Sequence, residues 1–368
     1  MPFETPIHQI FIETPVRETE ITRRVLERVG PQAEVIEVGT AREVLERFAA
    51  DPSLNHKGKR SLLLTDFHAE PIKPCPGTLN YLCCGYQILN FGQGCPMECA
   101  YCILQGYFAS SLLVVQANSA AFLKSAADRL RAEPDRFFRL GTGEFADSLA
   151  LDPLTGYARR LVEFIRDFPN ARLELKSKAV HIEEILDADH RGHTICAWSL
   201  NTPEAIAREE FRTASLDERL AAAARCQEAG YPLAFHFDPI FYYDGWEDAY
   251  RGVIERLFAV ARPGNIRWIS LGCFRYLPGL EEAIRQRYPR SRFIYADFIL
   301  GGDRKMRYPQ PLRIHIYRKM VEWIRQAGGR DVLVYFCMEN AQVWRSVMGH
   351  APRDNEELAG WLDARCRG

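Results

Sequence analysis

Apolar residues fall in short runs separated by longer segments in which apolar positions recur every three or four residues, and this alternation sets the order of elements. Ahead of residue 75 the runs lie at 10–12, 35–38 and 62–64, with helical spacing over 19–29 and 41–49. They predict a small α/β unit. The polar, basic stretch 51–60 reads as a loop and the proline-rich stretch 71–76 as a linker. From about Leu82 the order repeats, with runs at 88–91, 137–140, 173–175, 194–200, 233–237 and 266–271. Helical patterns at 120–131, 157–167, 216–229 and 246–261 lie between them. Strand–helix units in such succession predict parallel strands, in a closed or partly open barrel or a doubly wound sheet. Either architecture gathers chemistry at the C-terminal ends of its strands. A seventh run, 332–336, follows a helical pattern at 312–326, and the tail from Arg345 is polar. The expected domains are therefore an N-terminal α/β unit (1–75), the repeating part (76–340) and a C-terminal extension (341–368).

At 368 residues, with 47% hydrophobic and 26% charged positions, the chain is long enough for a sizeable core. Its 47 basic and 48 acidic residues leave a net charge of −1, so affinity for nucleic acid or membrane has to come from a local patch. No apolar run approaches the ~18 residues of a spanning helix. The first six residues lack the basic and apolar regions of a secretion signal, so a cytoplasmic protein without a membrane partner is expected. Eleven cysteines, crowded at Cys75, Cys83, Cys84, Cys95, Cys99 and Cys102, point to metal ligation or thiol chemistry rather than a secreted disulfide framework.

The most informative segment is Gly92-Gln93-Gly94-Cys95-Pro96-Met97-Glu98-Cys99-Ala100-Tyr101-Cys102, directly after the first run of the repeating part. Its spacing is C-x3-C-x2-C. The glycines and Pro96 let the backbone wrap tightly instead of continuing a helix, so three thiolates can converge. A cube of four irons and four sulfides usually takes four protein thiolates, and three leave one iron open for another ligand. A buried helical stripe of cysteines is the plainer reading, since i, i+4 and i+7 share a helix face, but Gly94 and Pro96 spoil the helix start. Structural zinc would require a fourth ligand, for which Cys83 or Cys84 is available.

C-x3-C-x-aromatic-C after the first strand of such a series resembles the signature of the radical S-adenosylmethionine (radical SAM) superfamily. The resemblance implies a partial (β/α)6 radical SAM barrel, preceded here by the small N-terminal α/β domain. It also implies a [4Fe-4S] cluster on Cys95, Cys99 and Cys102, SAM chelated at the open iron, and reductive cleavage of SAM to a 5′-deoxyadenosyl radical. Over roughly 85–320 the chain is similar to the spore photoproduct lyase family of DNA-repair enzymes. The shared residues are Cys99-Ala100-Tyr101-Cys102-Ile103-Leu104-Gln105, Asp152-Pro153-Leu154-Thr155, 181–187, Ser199-Leu200-Asn201, Ala229-Gly230-Tyr231-Pro232-Leu233 and Asp244-Gly245-Trp246-Glu247. Their common order and spacing carry the likeness.

SAM presents a carboxylate, an ammonium, a sulfonium and a ribose, so its site needs a cation, an anion and hydroxyl partners. The resemblance assigns the ammonium to Glu144 in Gly141-Thr142-Gly143-Glu144, the carboxylate to Lys178, and carboxylate or ribose to Ser199 and Asn201. Tyr101 completes the cofactor set. Glu144 as a helix cap, Lys178 as a solvated cation and Ser199 and Asn201 as turn formers are the plain alternatives. The lyases return a hydrogen atom from a cysteine near the end of the second strand, where this chain has Glu144, and through a tyrosine after the third cluster cysteine, where it has Ile103. Replacement donors at strand ends are Cys337 and Cys273. His236 and Asp238, on one face of the fifth strand, are cavity candidates.

Segment 303–330 carries eight cations against Asp303 and Glu322, with Tyr308 and Tyr317 interleaved. Phosphate neutralisation with an aromatic wedge would suit extraction of a base lesion, and a solvated helix face is the competing account. The related lyases place a basic hairpin here, which implies DNA contacts by Arg304, Lys305, Arg307 and Tyr308 within 303–320. The leading expectation is a radical SAM enzyme of the spore photoproduct lyase type acting on a damaged pyrimidine in DNA. A flavodoxin- or ferredoxin-like electron donor and a monomeric state are expected with it. A nucleotide, RNA or peptide substrate, or a non-catalytic iron–sulfur or zinc DNA-binding module, are the alternatives.

Overall fold

The computed structural model describes residues 6–51, 54, 58–66, 70–78 and 80–367; the expectation for the first residues, and half of that for the loop at 51–60, fall outside them. Two compact units divide the chain: 1–73 with 87–98 and 104–193, and 74–86 with 99–103 and 194–368. These units cut across the three segments read from the sequence, because a strand laid down after the cysteine loop returns to complete the N-terminal sheet.

In the first unit, β1 (Gln9–Glu13), α1 (Glu20–Val29), β2 (Glu34–Val38), α2 (Ala41–Ala50) and β3 (Ser61–Thr65) follow the apolar pattern closely. β1 is flanked by β2 and β3, both parallel to it, with Ile10 opposite Val35 and Leu62. Leu62, Leu63 and Leu64 are all buried, as a strand covered on both faces requires. Thr19 caps α1 by accepting a hydrogen bond from Thr22 N at 3.3 Å. A second set begins with β4 (Gln87–Leu89) and is interrupted by β5 (Gly92–Gln93) and β6 (Leu113–Gln116), which leave it for the N-terminal sheet. β6 pairs parallel with β3, Leu63 opposite Val114, and antiparallel with β5. Phe11, Phe48, Leu63 and Val114 form one core cluster there. After α3 (Ser119–Ala132), β7 (Phe138–Gly141) pairs parallel with β4 and, beyond α4 (Tyr157–Ile165), with β8 (Ala171–Ser177).

The second unit continues the alternation. It comprises β9 (Thr194–Ser199), β10 (Glu210–Phe211), α5 (Leu216–Glu228), β11 (Leu233–Ile240), α6 (Trp246–Val260) and β12 (Ile266–Cys273). β13 (Arg275–Tyr276), α7 (Leu280–Arg287), β14 (Ile299–Leu300), β15 (Met306–Arg307), α8 (Gln310–Gly328) and β16 (Val334–Phe336) follow. β9, β11, β12 and β16 are parallel, and their register sets Ser199, His236, Ser270 and Tyr335 in a row. β15 joins β13 and β14 in a small antiparallel sheet. The polar tail folds as two helices, α9 (Ala341–Met348) and α10 (Asn355–Arg367), which bury Val343, Trp344, Leu358 and Leu362. Among the described residues no helix is long and apolar enough to cross a membrane.

Asp152 is buried at the approach to α4, where its Oδ1 accepts from Ala158 N at 2.7 Å. Burial pushes its carboxyl up from 3.8 to about 7, against the opposing pull of that N–H. The folded chain therefore holds a proton that the unfolded chain has released, and stability falls as pH rises from about 4 to about 7. Asp152→Asn keeps the acceptor and removes the charge. Its melting temperature should exceed the parent's at pH 8, and the gap should close towards pH 4 in thermal denaturation series.

Candidate active site

β5 delivers the chain into the cysteine loop through two positions where a side chain has no room. A Cβ on Gly92 would stand 2.6 Å from the Val114 carbonyl oxygen, and one on Gly94 2.7 Å from that of Leu112. Gly94 also has φ +83°, a conformation that favours glycine. Its N–H donates to Phe145 O at 2.9 Å, and it bridges Ala146. Cys95 thus emerges beside the segment that follows β7, which contains Glu144. Lys59, buried, donates from Nζ to the Met97 carbonyl within the loop. Nothing in the sequence marks Lys59, a lysine in a polar stretch.

Asp147 organises the same end of the first unit. Its carboxylate accepts from Ser177 Oγ at 2.7 Å, Lys178 N at 2.8 Å, Leu149 N at 3.0 Å and Ala150 N at 2.9 Å. The backbone of Lys178 is thereby fixed at the C-terminal end of β8, one residue past Ser177. Thr142 at the end of β7 donates to Ser148 Oγ at 2.6 Å. Glu144 and Lys178, both half-buried, lie just past the ends of neighbouring parallel strands of this unit.

The rest of the loop belongs to the second unit. Cys102 N donates to Cys99 O at 3.1 Å, closing a turn, and Ala100 N donates to Glu209 O at 2.8 Å. The Tyr101 hydroxyl donates to Glu210, which forms a buried pair with Arg219 at 2.6 Å. Burial, followed by the Glu210 charge, pushes the Tyr101 phenol well above its ordinary range, so it stays protonated. Arg219 also donates to Ser199 O at 2.8 Å, which ties the end of β9 to the residue pair behind Tyr101. The Tyr101 ring meets Phe241 edge-on, 5.4 Å between centroids.

Strand ends of this unit carry the remaining candidates. Asn201 is buried and its amide is occupied: Oδ1 accepts from Tyr250 and Thr202 N, and Nδ2 donates to Pro239 O. These contacts brace the end of β9 against Tyr250 and Pro239. His236 Nδ1 lies 2.7 Å from Ser270 Oγ. Asp238 binds Arg275 through two contacts of 3.0 Å, and the same guanidinium donates to Cys337 Sγ at 3.5 Å. Cys337 stands just past β16 and is half-buried, whereas Cys273 is sealed in the core. Burial pushes the Cys273 thiol up, leaving it a protonated core residue.

Three of the four residues assigned to DNA contact are withdrawn from the surface, while Arg318, Arg325 and Arg330 later in the segment are exposed. Lys305, Arg307 and Tyr308 are 6%, 2% and 0% exposed, and of the four residues assigned to DNA Arg304 is the exposed one. Arg307 pairs with Asp303, its Nε donating at 3.0 Å, and its guanidinium lies over Tyr81 at 4.3 Å. Lys305 donates to Thr78 Oγ1 at 3.1 Å, and Arg313 pairs with the buried Glu339 at 2.8 Å. Glu339 lies outside the segment, so counting charges within 303–330 overlooked it. The hairpin of β14 and β15 presents Ile299 and Leu300 to solvent.

Among the described residues no group of three or more His, Cys, Asp or Glu converges to hold a single metal ion. A cube binds each thiolate at a different iron and does not need that convergence.

The family model described as "Spore photoproduct lyase" matches residues 83–319, more than half of the chain. Spore photoproduct lyase of Bacillus subtilis (strain 168) is 31% identical over 208 residues, 55% of this chain and 60% of that protein. The enzyme of that name from Geobacillus sp. (strain Y412MC61) is 29% identical over 202 residues, covering 54% and 59%. The chain thus matches about three fifths of the length of these curated relatives. A solved spore photoproduct lyase complexed with dinucleoside spore photoproduct superposes with a TM-score of 0.78 at 23% identity, over 91% of this chain and all of that one. The fold of the two is the same, which bears out the expected partial (β/α)6 barrel.

Removing the carboxylate from Glu210 strands the buried Arg219 charge. Glu210→Ala should cost roughly 3–5 kcal/mol in denaturant unfolding. Glu210→Leu combined with Arg219→Met, which removes both charges, should recover most of that loss.

Proposed function

Because the chain belongs to the spore photoproduct lyase family, we propose that it is a radical SAM enzyme acting on a damaged pyrimidine in DNA. Its cofactors are those of the family, a [4Fe-4S] cluster and SAM. The observation that carries the reading is the C-x3-C-x2-C loop, pinned at Gly94 and Ala100 by backbone hydrogen bonds and too tight at two glycines for any side chain. Three thiols in this spacing, with the Lys59 ammonium on the Met97 carbonyl, suit an anionic cluster on Cys95, Cys99 and Cys102. When bound, cluster and SAM supply reductive cleavage to a 5′-deoxyadenosyl radical.

The chain's own residues then have distinct tasks. Glu144 receives the SAM ammonium, Lys178 its carboxylate, and Ser199 its polar edge, all from strand ends. Tyr101, held through Glu210, keeps its ring beside the loop and its proton turned away. Where the related lyases keep a donor thiol this chain has Glu144, whose carboxylate carries no hydrogen and whose acid form has too strong an O–H bond to give one up readily. Cys337 is the donor in our reading, because its thiol is half-buried at a strand end and is oriented by the Arg275–Asp238 pair. In that step the S–H bond breaks, a C–H bond forms on the product radical, and a thiyl remains on Cys337. The DNA-facing hairpin works as an apolar wedge of Ile299 and Leu300. A reduced flavodoxin or ferredoxin supplies the electron, and the enzyme acts as a monomer.

Anaerobic reconstitution with SAM, dithionite and irradiated DNA tests the proposal. Alanine at Cys95, Cys99 or Cys102 should abolish the brown cluster absorbance and 5′-deoxyadenosine formation together. Glu144→Gln should retain iron while weakening SAM binding by about 10- to 150-fold, the equivalent of a charge-assisted hydrogen bond of roughly 1.5–3 kcal/mol. Cys337→Ala should still yield 5′-deoxyadenosine but divert the substrate radical into side products; clean product from this variant would move the donor elsewhere.

A further inference from the structure

With Lys305 and Arg307 buried, a DNA-acting enzyme needs further phosphate contacts elsewhere. In the second unit the chain from Arg285 to Arg292 reads Arg-Gln-Arg-Tyr-Pro-Arg-Ser-Arg, four arginines in eight residues with no acid among them. Arg285, Arg290 and Arg292 are exposed and Arg287 half-exposed. The nearest acids in sequence are Glu281, Glu282 and Asp297. Of these, Glu282 shares Arg285 at 3.5 Å.

Aromatic rings are set among these cations. Tyr288 stacks on Phe211 with centroids 5.8 Å apart and planes 7° from parallel. Phe211 is 39% and Tyr295 63% exposed, large values for rings that make no use of solvent. Arg287 lies 6.0 Å from the centre of the Tyr288 ring and Arg285 5.8 Å from that of Tyr295. Guanidinium groups and rings thus meet in two neighbouring groups, Phe211–Tyr288–Arg287 and Arg285–Tyr295.

The surface is mechanically joined to the cysteine loop. Glu209, buried, faces the Ser291 hydroxyl and the Arg292 N–H with its carboxylate, and its carbonyl accepts from Ala100 N at 2.8 Å. Phe293 stacks on Phe241 at 4.2 Å, and Phe241 is the ring that meets Tyr101. A nucleotide held on this face is thereby tied to the Cys99–Cys102 part of the loop, which belongs to the same unit.

We propose that the face formed by Phe211, Tyr288, Tyr295 and the arginines of 285–292 binds the unpaired DNA strand that flanks the lesion. Exposed rings stack on bases of any identity, and arginines neutralise the intervening phosphates, a combination that suits single strands. This rests on the reading of DNA as the substrate.

The test measures binding of a fluorescein-labelled oligothymidine by anisotropy across a salt series. Arg287→Ala/Arg290→Ala/Arg292→Ala should lower the log–log salt slope by about 2, at ~0.7 per single-strand phosphate contact. The matching triple lysine variant should keep the slope. Phe211→Leu should weaken binding by about 5- to 100-fold with little change of slope, since stacking carries no charge. Arg42→Ala/Arg47→Ala, on α2 of the first unit, is the surface control and should match the parent. Melting temperatures confirm that each variant is folded. A parent that binds no DNA would overturn the substrate reading and this face with it. A parent that binds, with an unchanged slope in the folded triple alanine variant or an equal drop in the control, overturns the face alone.

Discussion

Arg219 donates from one planar group to the Ser199 carbonyl, the Glu210 carboxylate, the Thr213 hydroxyl and the Ala214 carbonyl, with distances of 2.6–2.9 Å. A guanidinium without water is tolerable only when its donors are matched in this way, because stripping an ion of solvent costs several kcal/mol. The arrangement has a geometric result: the end of β9, strand β10 and, through Glu210, the Tyr101 hydroxyl are all positioned from a single point. A hydrophobic replacement of equal volume would fill the space but would not fix the direction of the Tyr101 O–H bond. The site depends on that directional quality more than on the energy of the pair.

Most strands and helices were legible because burial on both sides leaves near-continuous apolar runs, as at Leu62–Leu64, and amphipathic helices leave a clear three-to-four-residue period. The return of β6 to the N-terminal sheet was not legible, since nothing local records which distant strand a run of Leu-Val-Val will pair with. The two C-terminal helices were overlooked for a related reason. Their buried residues are sparse, and Trp344, Leu358 and Leu362 register as amphipathic only once a surface exists to receive them.

Charge proved the least local property. Arg307, Lys305 and Arg313 read as a basic patch, yet each is satisfied internally, and Glu339, the partner of Arg313, stands 26 residues along the chain. Asn201 makes the same point for polar groups, because a strand-end asparagine offers the same letters whether its amide reaches outward or braces Tyr250 and Pro239. The cysteine spacing was legible throughout, since glycine permits and proline enforces a tight, non-helical backbone wherever the chain goes.

The interior place of β6 in the N-terminal sheet, between β3 and β5, has an architectural consequence. A strand paired on both edges cannot lose one neighbour without exposing a row of unsatisfied N–H and C=O groups, and such an edge recruits other chains. The N-terminal segment is therefore not a module that recombination could exchange or discard: the stretch that holds the cysteine loop was built against it.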